Sequence, residues 1–142
     1  GNLIDHGFDT VSMSLDPQIW KKMMRSSFFE FGNQAKSTEM ALYAIPIHIA
    51  IGYKIPLVFL GENPLYVLGQ QEGKAKGGNA TGMHHSHTLG GGSPDKIAEQ
   101  IATKNDTYFY RYPSDDELEY GDLKIIYLVL LKFGTSVLLH LL

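Results

Sequence analysis

Cysteine is absent from this sequence. Its absence excludes a disulfide framework, a thiolate nucleophile and any Cys-ligated zinc or iron–sulfur site within the chain. Charge is sparse too: Asp, Glu, Lys and Arg make up 19% of the residues, below the roughly 25% usual for soluble domains. Twelve Lys and Arg stand against 15 Asp and Glu, a net charge of −3. That balance gives no electrostatic footprint for nucleic acid and no basic patch for an anionic membrane. No charged-then-apolar leader follows Gly1. A chain that starts on Gly is expected to be processed or excised from something longer. The longest apolar stretch, Lys124 to Leu142, is broken by Lys124, Lys132, Gly134 and His140. A membrane span needs about 20 mostly apolar residues, so a buried strand followed by an apolar tail over 129–142 is expected instead. Without cysteine, leader or span, a cytoplasmic location is expected.

What is present is enough for one domain. The 142 residues are 44% hydrophobic, which supports a core and argues against wholesale disorder. Glycine is locally enriched: of 15 glycines, eight lie between Gly69 and Gly92.

The apolar spacing sets out the elements. Asn2 to Gly7 reads as the last turn of a helix closed by glycine. Val11-Ser12-Met13-Ser14-Leu15 alternates apolar and polar, the period of a strand. Asp16-Pro17 is an N-cap followed by a favoured first helical residue. Ile19, Trp20, Met23, Met24, Phe28 and Phe31 then form a helical stripe ended by Gly32. Lys21, Lys22 and Arg25 fall on the other face, as a solvated surface. Ser37-Thr38 opens a second helix, apolar almost all round from Met40 to Ile51 and therefore buried. Pro46 predicts a kink in it and Gly52 its end. Ile55-Pro56-Leu57-Val58-Phe59-Leu60 has the pattern of a central parallel strand, with Pro56 confined to its start.

Residues 69–93 show no hydrophobic period and read as a long loop or insertion. Ser93-Pro94 starts a further helix through Ile97 and Ile101. Tyr108 to Tyr112 is aromatic-rich. Ser114-Asp115-Asp116-Glu117 matches a capping box, with Gly121 as the stop. Leu123 to Leu131 is a second buried-strand run. No internal repeat is visible. The alternation of strands and helices predicts a three-layer α/β domain with a parallel sheet, over 1–142 as one unit. Ligands in such sheets bind at the carboxyl ends of strands, which directs attention to Leu15-Asp16-Pro17 and to Leu60-Gly61-Glu62-Asn63-Pro64.

At the second of these, Gly61 lets a ligand or another backbone come close. Glu62 offers a carboxylate, and Asn63 both donor and acceptor. An ordinary strand-to-loop turn uses the same residue types. Asp16 could bind a ribose or a metal, and helix capping explains it equally well. Gly69 to Ala75 resembles the GxxxxGK[ST] phosphate loop, but it is one residue short, lacks the hydroxyl at Ala75 and follows no strand. Gly90-Gly91-Gly92 before Ser93 could form an anion nest or simply a hinge. His84, His85 and His87 could bind zinc, copper or nickel through neutral imidazoles. No carboxylate completes a tetrahedral set beside them, so a solvated loop is the expectation and no metal is assigned. His48, alone in an apolar helix, reads as a packed or hydrogen-bonded core residue. There is no GxSxG elbow for a serine hydrolase.

Three stretches, taken together, resemble a known family. They are Asn2-Leu3-Ile4-Asp5-His6-Gly7-Phe8-Asp9, Phe28-Phe29-Glu30-Phe31-Gly32-Asn33 and Tyr53-Lys54-Ile55-Pro56-Leu57-Val58-Phe59-Leu60-Gly61-Glu62-Asn63-Pro64. Tyr112-Pro113-Ser114-Asp115-Asp116-Glu117-Leu118 and Leu123 to Leu128 extend the match, so that it covers Asn2 to Leu128 apart from the glycine-rich insert. Their order and spacing are similar to the N-acetyl sugar amidotransferases of bacterial lipopolysaccharide and surface-sugar biosynthesis, members of the PP-loop ATP pyrophosphatases. The resemblance implies a Rossmann-like sheet of the adenine-nucleotide α-hydrolase type, incomplete at its N-terminal side.

It also implies the reaction. ATP, with Mg2+, adenylates the amide oxygen of an N-acetyl group on a nucleotide-activated sugar and releases pyrophosphate. Ammonia from a separate glutaminase subunit then displaces AMP, leaving an acetamidino sugar. The family's SGGKDS-type ATP loop and Cys-rich zinc segment lie upstream of the matched region and do not occur here. The resemblance therefore implies the later part of such an enzyme, inactive alone, with Glu62 and Asn63 on the pyrophosphate–magnesium or sugar side of the pocket. After Leu128 the sequence leaves the family pattern, as a shift of reading frame there would make it do. Two other readings stay open from the residues alone: a non-catalytic α/β interaction module or homodimerising domain, and a metal-binding loop at His84, His85 and His87.

Overall fold

The structure, a computed structural model, describes residues 2–61, 97, 103 and 105–127. The glycine-rich stretch 69–93, Ile101 and the tail 129–142 lie outside the described residues. The short helix α1 spans Asn2–Asp5. Gly7, at φ +80°, closes it: its N–H donates to the Ile4 carbonyl (2.9 Å) and the Phe8 N–H to that of Leu3 (3.0 Å). This pair of bonds is the Schellman closure that glycine favours, as the sequence predicts.

The strand expected over Val11 to Leu15 does not form. Residues 8–16 carry no regular structure, and Val11 and Met13 are exposed. Alternation supplies a face for a sheet, but no neighbouring strand among the described residues pairs with it, and a lone strand leaves its backbone groups to water.

Helix α2 runs Pro17–Phe31. The Asp16 carboxylate accepts from the Gln18 and Ile19 N–H groups at 2.7 and 3.1 Å, and Gly32 at φ +65° ends the helix with its N–H on the Phe28 carbonyl. Both ends fall where the cap residues predict. Helix α3 spans Lys36–Tyr53, one residue earlier than Ser37. It continues through Pro46. The carbonyl of Leu42, which loses its N–H donor to Pro46, belongs to the exposed side, where water can replace the bond.

Gly52 does not end α3. Lys54 takes the left-handed conformation at φ +57°, with its N–H on Ile51 and the Ile55 N–H on Ala50. The helix thus runs one residue past the glycine, to Tyr53, and Lys54 caps it. Helix α4, Asp115–Tyr120, starts at the predicted capping box: Ser114 Oγ accepts from the Glu117 N–H, and Glu117 Oε2 accepts from the Ser114 N–H at 2.8 Å. Gly121 follows in a right-handed conformation and Asp122, at φ +46°, makes the turn. A Cβ at Gly121 would stand 3.3 Å from both the Glu117 carbonyl and Ile51 Cγ1. The glycine thus serves the close approach of α4 to α3.

Two strands pair in parallel, β1 Leu57–Leu60 and β2 Lys124–Tyr127, with Leu57 opposite Lys124 and Leu60 opposite Tyr127. Pro56 stands just before β1, and its carbonyl accepts from the Lys124 N–H at 2.9 Å. This is the position a proline tolerates. The two strands differ in burial. Ile125, Ile126 and Tyr127 are buried on both faces of β2, whereas Phe59 of β1 is 51% exposed. The apolar run at 55–60 therefore marks a parallel strand, but the doubly buried one is β2.

Helix α3 packs against α2, against β1 and against the single 3-10 turn Tyr108–Tyr110. One core joins them: Met23, Met40, Tyr43, Ile47, Ile97, Tyr110, Leu118, Ile125 and Tyr127, flanked by Leu15, Ile19, Val58 and Leu60. Burial of aliphatic and aromatic side chains of this size, about 2 kcal/mol each, is the main stabilising term. The described residues thus form a mixed α/β arrangement with a parallel strand pair.

Candidate functional site

Leu60, the last residue of β1, is the register partner of Tyr127 in β2, and the carboxyl end of β1 forms a rim of the strand pair. Gly61 leaves β1 at this rim. It is exposed, its φ is not positive, and a Cβ built on it meets nothing within 4 Å. Among the described residues, then, no neighbour and no backbone conformation demands a glycine at 61; the open space beside it remains available to a ligand. Glu62 and Asn63, the next two residues, and His84, His85 and His87 lie outside the described residues.

Asp16 is placed differently from the sequence expectation. With no strand before it, it does not stand at a strand's carboxyl end. One carboxylate oxygen holds two N–H groups at the start of α2. The capping reading of this residue is the one the geometry supports. Its charge still reaches the rim region: Tyr110 is pushed up to about 12, first by burial and then by Asp16.

Three phenols that sequence reasoning did not single out lie in or against the core. Tyr127 ends β2 and is buried, Tyr110 closes the 3-10 turn at 1% exposure, and Tyr112 follows it. Burial raises the Tyr112 phenol, and the neighbouring Tyr127 and Asp115 raise it further. Burial disfavours a phenolate in this low-dielectric surrounding, so Tyr110 and Tyr112 stay protonated at neutral pH and do not act as bases. The aromatic run was visible in the sequence. That it packs against α3 was not, since the contact crosses chain positions no local period relates.

His48 is half-buried, with Nε2 2.8 Å from the Arg111 carbonyl and its ring 4.4 Å from that of Tyr108. The Arg111 guanidinium in turn donates to Thr107 Oγ1 at 3.0 Å. These contacts pin the aromatic turn to α3, in keeping with a hydrogen-bonded core histidine. Among the described residues no group of three or more His, Asp or Glu could hold a metal ion. No helix among them is long and apolar enough to cross a membrane. No family model matches the chain, and no curated protein matches it.

Proposed function

We propose that this chain is the later part of an ATP-dependent amidotransferase that acts on the N-acetyl group of a nucleotide-activated sugar, within a three-layer Rossmann-like sheet. The observation that carries the reading is the rim itself. The segment Ile55 to Pro64, the most specific part of the family resemblance, contains a strand paired in parallel, and its Gly61 emerges at that strand's carboxyl end. That is where open α/β sheets bind ligands. The packing of α3 on β1 supplies one helical layer in keeping with the fold.

The described residues do not fit a magnesium–ATP site. No acidic group of three converges, and Asp16 is committed to its cap. The reading assigns this chain the sugar side of the pocket, with Gly61, Glu62 and Asn63, and leaves the SGGKDS-type loop to a part of the protein outside these 142 residues. The ammonia would come from a glutaminase partner, and the setting would be cytoplasmic lipopolysaccharide biosynthesis.

The test is the full-length gene product. Its reading frame upstream of Gly1 should encode an SGGKDS-type loop after a strand. The protein should form AMP and pyrophosphate from ATP only when a nucleotide-linked N-acetyl sugar and ammonia are both present. Glu62→Gln and Asn63→Ala should each lower kcat/KM by about a hundredfold, the scale for losing one positioned polar contact in a transition state. Absence of the loop, or AMP formation indifferent to the sugar, would overturn the reading.

A further inference from the structure

Helix α2 turns Met23 and Ser27 inward, and both are fully buried. At about 100° per residue the opposite arc, roughly 120° wide, holds Phe28, Lys21, Arg25, Gln18, Phe29 and Lys22. All six are exposed, Phe29 at 74% and Phe28 at 54%. No acidic residue lies on this arc. An ordinary solvated helix face mixes charge signs, and like charges at three or four residues' separation cost stability. Lys21 with Arg25, and Lys22 with Arg25, are such pairs. Phe29 receives the Arg25 guanidinium over its ring at 5.8 Å. Lys22 lies within electrostatic reach of Asp106, whereas Lys21 and Arg25 stand between the two phenylalanines with no acid on the arc.

A matching face occurs on the same molecule. Helix α4 exposes Asp116 and Glu119, with Asp122 just beyond, around Tyr120 at 92% exposure. No cation lies between Ser114 and Asp122. The two faces complement each other in charge, and each carries exposed aromatic surface.

We propose that α2 of one copy of this chain docks on α4 of a second copy. Lys21 and Arg25 face Asp116 and Glu119, and Phe28 and Phe29 cover Tyr120. The whole-chain charge favours this occupant over an anionic bilayer or a nucleic acid. Without Lys21, Lys22 and Arg25, 9 Lys and Arg remain against 15 Asp and Glu, a charge of −6 that would repel either. A reciprocal contact closes as a two-fold dimer, and a one-way contact propagates as an open chain. The proposal stands independently of the amidotransferase reading.

Sedimentation velocity on the 142-residue chain tests it, at low salt and from about 5 to about 200 µM, the range in which micromolar association is resolved. The average mass should rise from that of one chain toward two or more. Raising salt to about 0.5 M should weaken association about tenfold. K21E/R25E alone, and D116K/E119K alone, should each sediment as monomers with unchanged circular dichroism. An equimolar mixture of the two variants should associate again, since each then offers the face the other needs. Phe28→Ser/Phe29→Ser should also give a monomer. A wild-type chain that stays monomeric throughout, charge variants that associate as well as wild type, or a mixture that stays monomeric would overturn the proposal. So would phosphatidylserine vesicles that bind wild type but not K21E/R25E while the wild type remains monomeric, which would assign the face to membrane.

Discussion

Tyr110→Phe should stabilise this protein. The ring lies in the core at 1% exposure, and its hydroxyl has no hydrogen-bond partner among the described residues. A buried hydroxyl without a partner costs about 1–3 kcal/mol, because it gave up its water and received nothing in return. Removing the oxygen leaves about 10 Å3 unfilled, which at about 24 cal/mol per Å3 costs only about 0.2 kcal/mol. The net gain expected is therefore about 1 kcal/mol, against a total stability on the order of 10 kcal/mol for a chain of this length. In thermal unfolding followed by circular dichroism, Tm should rise by about 3 °C. Ile47→Ala, which empties a buried site on α3, should lower stability by about 3 kcal/mol in the same assay and shows that it resolves core changes. A second readout is independent of stability: the phenol pushed up to about 12 should vanish from the alkaline absorbance titration of the Phe variant. If Tyr110→Phe instead lowers Tm by 3 °C or more, the hydroxyl is bonded in the folded protein and the reasoning fails.

Other outcomes follow from the caps and the buried phenols. Lys54→Gly should stabilise by about 0.5–1 kcal/mol in urea unfolding, because Lys54 holds φ +57° at the end of α3, where glycine is unstrained. Ser114→Ala should cost about 1 kcal/mol, since it removes the cap at the start of α4. Glu117 is held below the usual carboxylate range, chiefly by the Ser114 N–H. Its contribution is present above the ordinary Glu range and is lost as pH falls through its lowered value, so Glu117→Gln should flatten the acid limb of the stability–pH curve. At the alkaline end the sign reverses. Tyr110 and Tyr112 are raised by burial, so their stabilising effect is whole below about pH 10, where unfolded phenols stay protonated. It declines as pH rises toward 12, and the unfolding midpoint in urea should decline with it.

Much of the local structure was legible because it is set by neighbours in sequence. Asp16-Pro17 and Gly32 bound α2, and Ser114 and Glu117 start α4, since a cap needs only residues within four positions of one another. Where a glycine was read as a stop without regard to the next turns, the ends shifted. Helix α3 runs one residue beyond Gly52 to a left-handed cap at Lys54, and Gly121 serves the contact with Ile51. The strand expected at Val11 to Leu15 shows the same limit from the other side: alternation is necessary for a half-buried strand, but a strand exists only where another pairs with it.

By itself, then, the sequence determined which of the described segments are helical, where most of them begin and end, and that strands lie within Ile55–Leu60 and Leu123–Leu131, where the structure has Leu57–Leu60 and Lys124–Tyr127. These follow from side-chain period and backbone chemistry within a few residues. Only the tertiary structure decided that those two strands, more than 60 positions apart, are direct neighbours with Leu60 opposite Tyr127, and that Tyr110, Tyr112 and Tyr127 meet in or against one core. It also decided that Asp16 serves a helix rather than the rim. Pairing and burial between distant segments depend on which surfaces meet, and no local period encodes that.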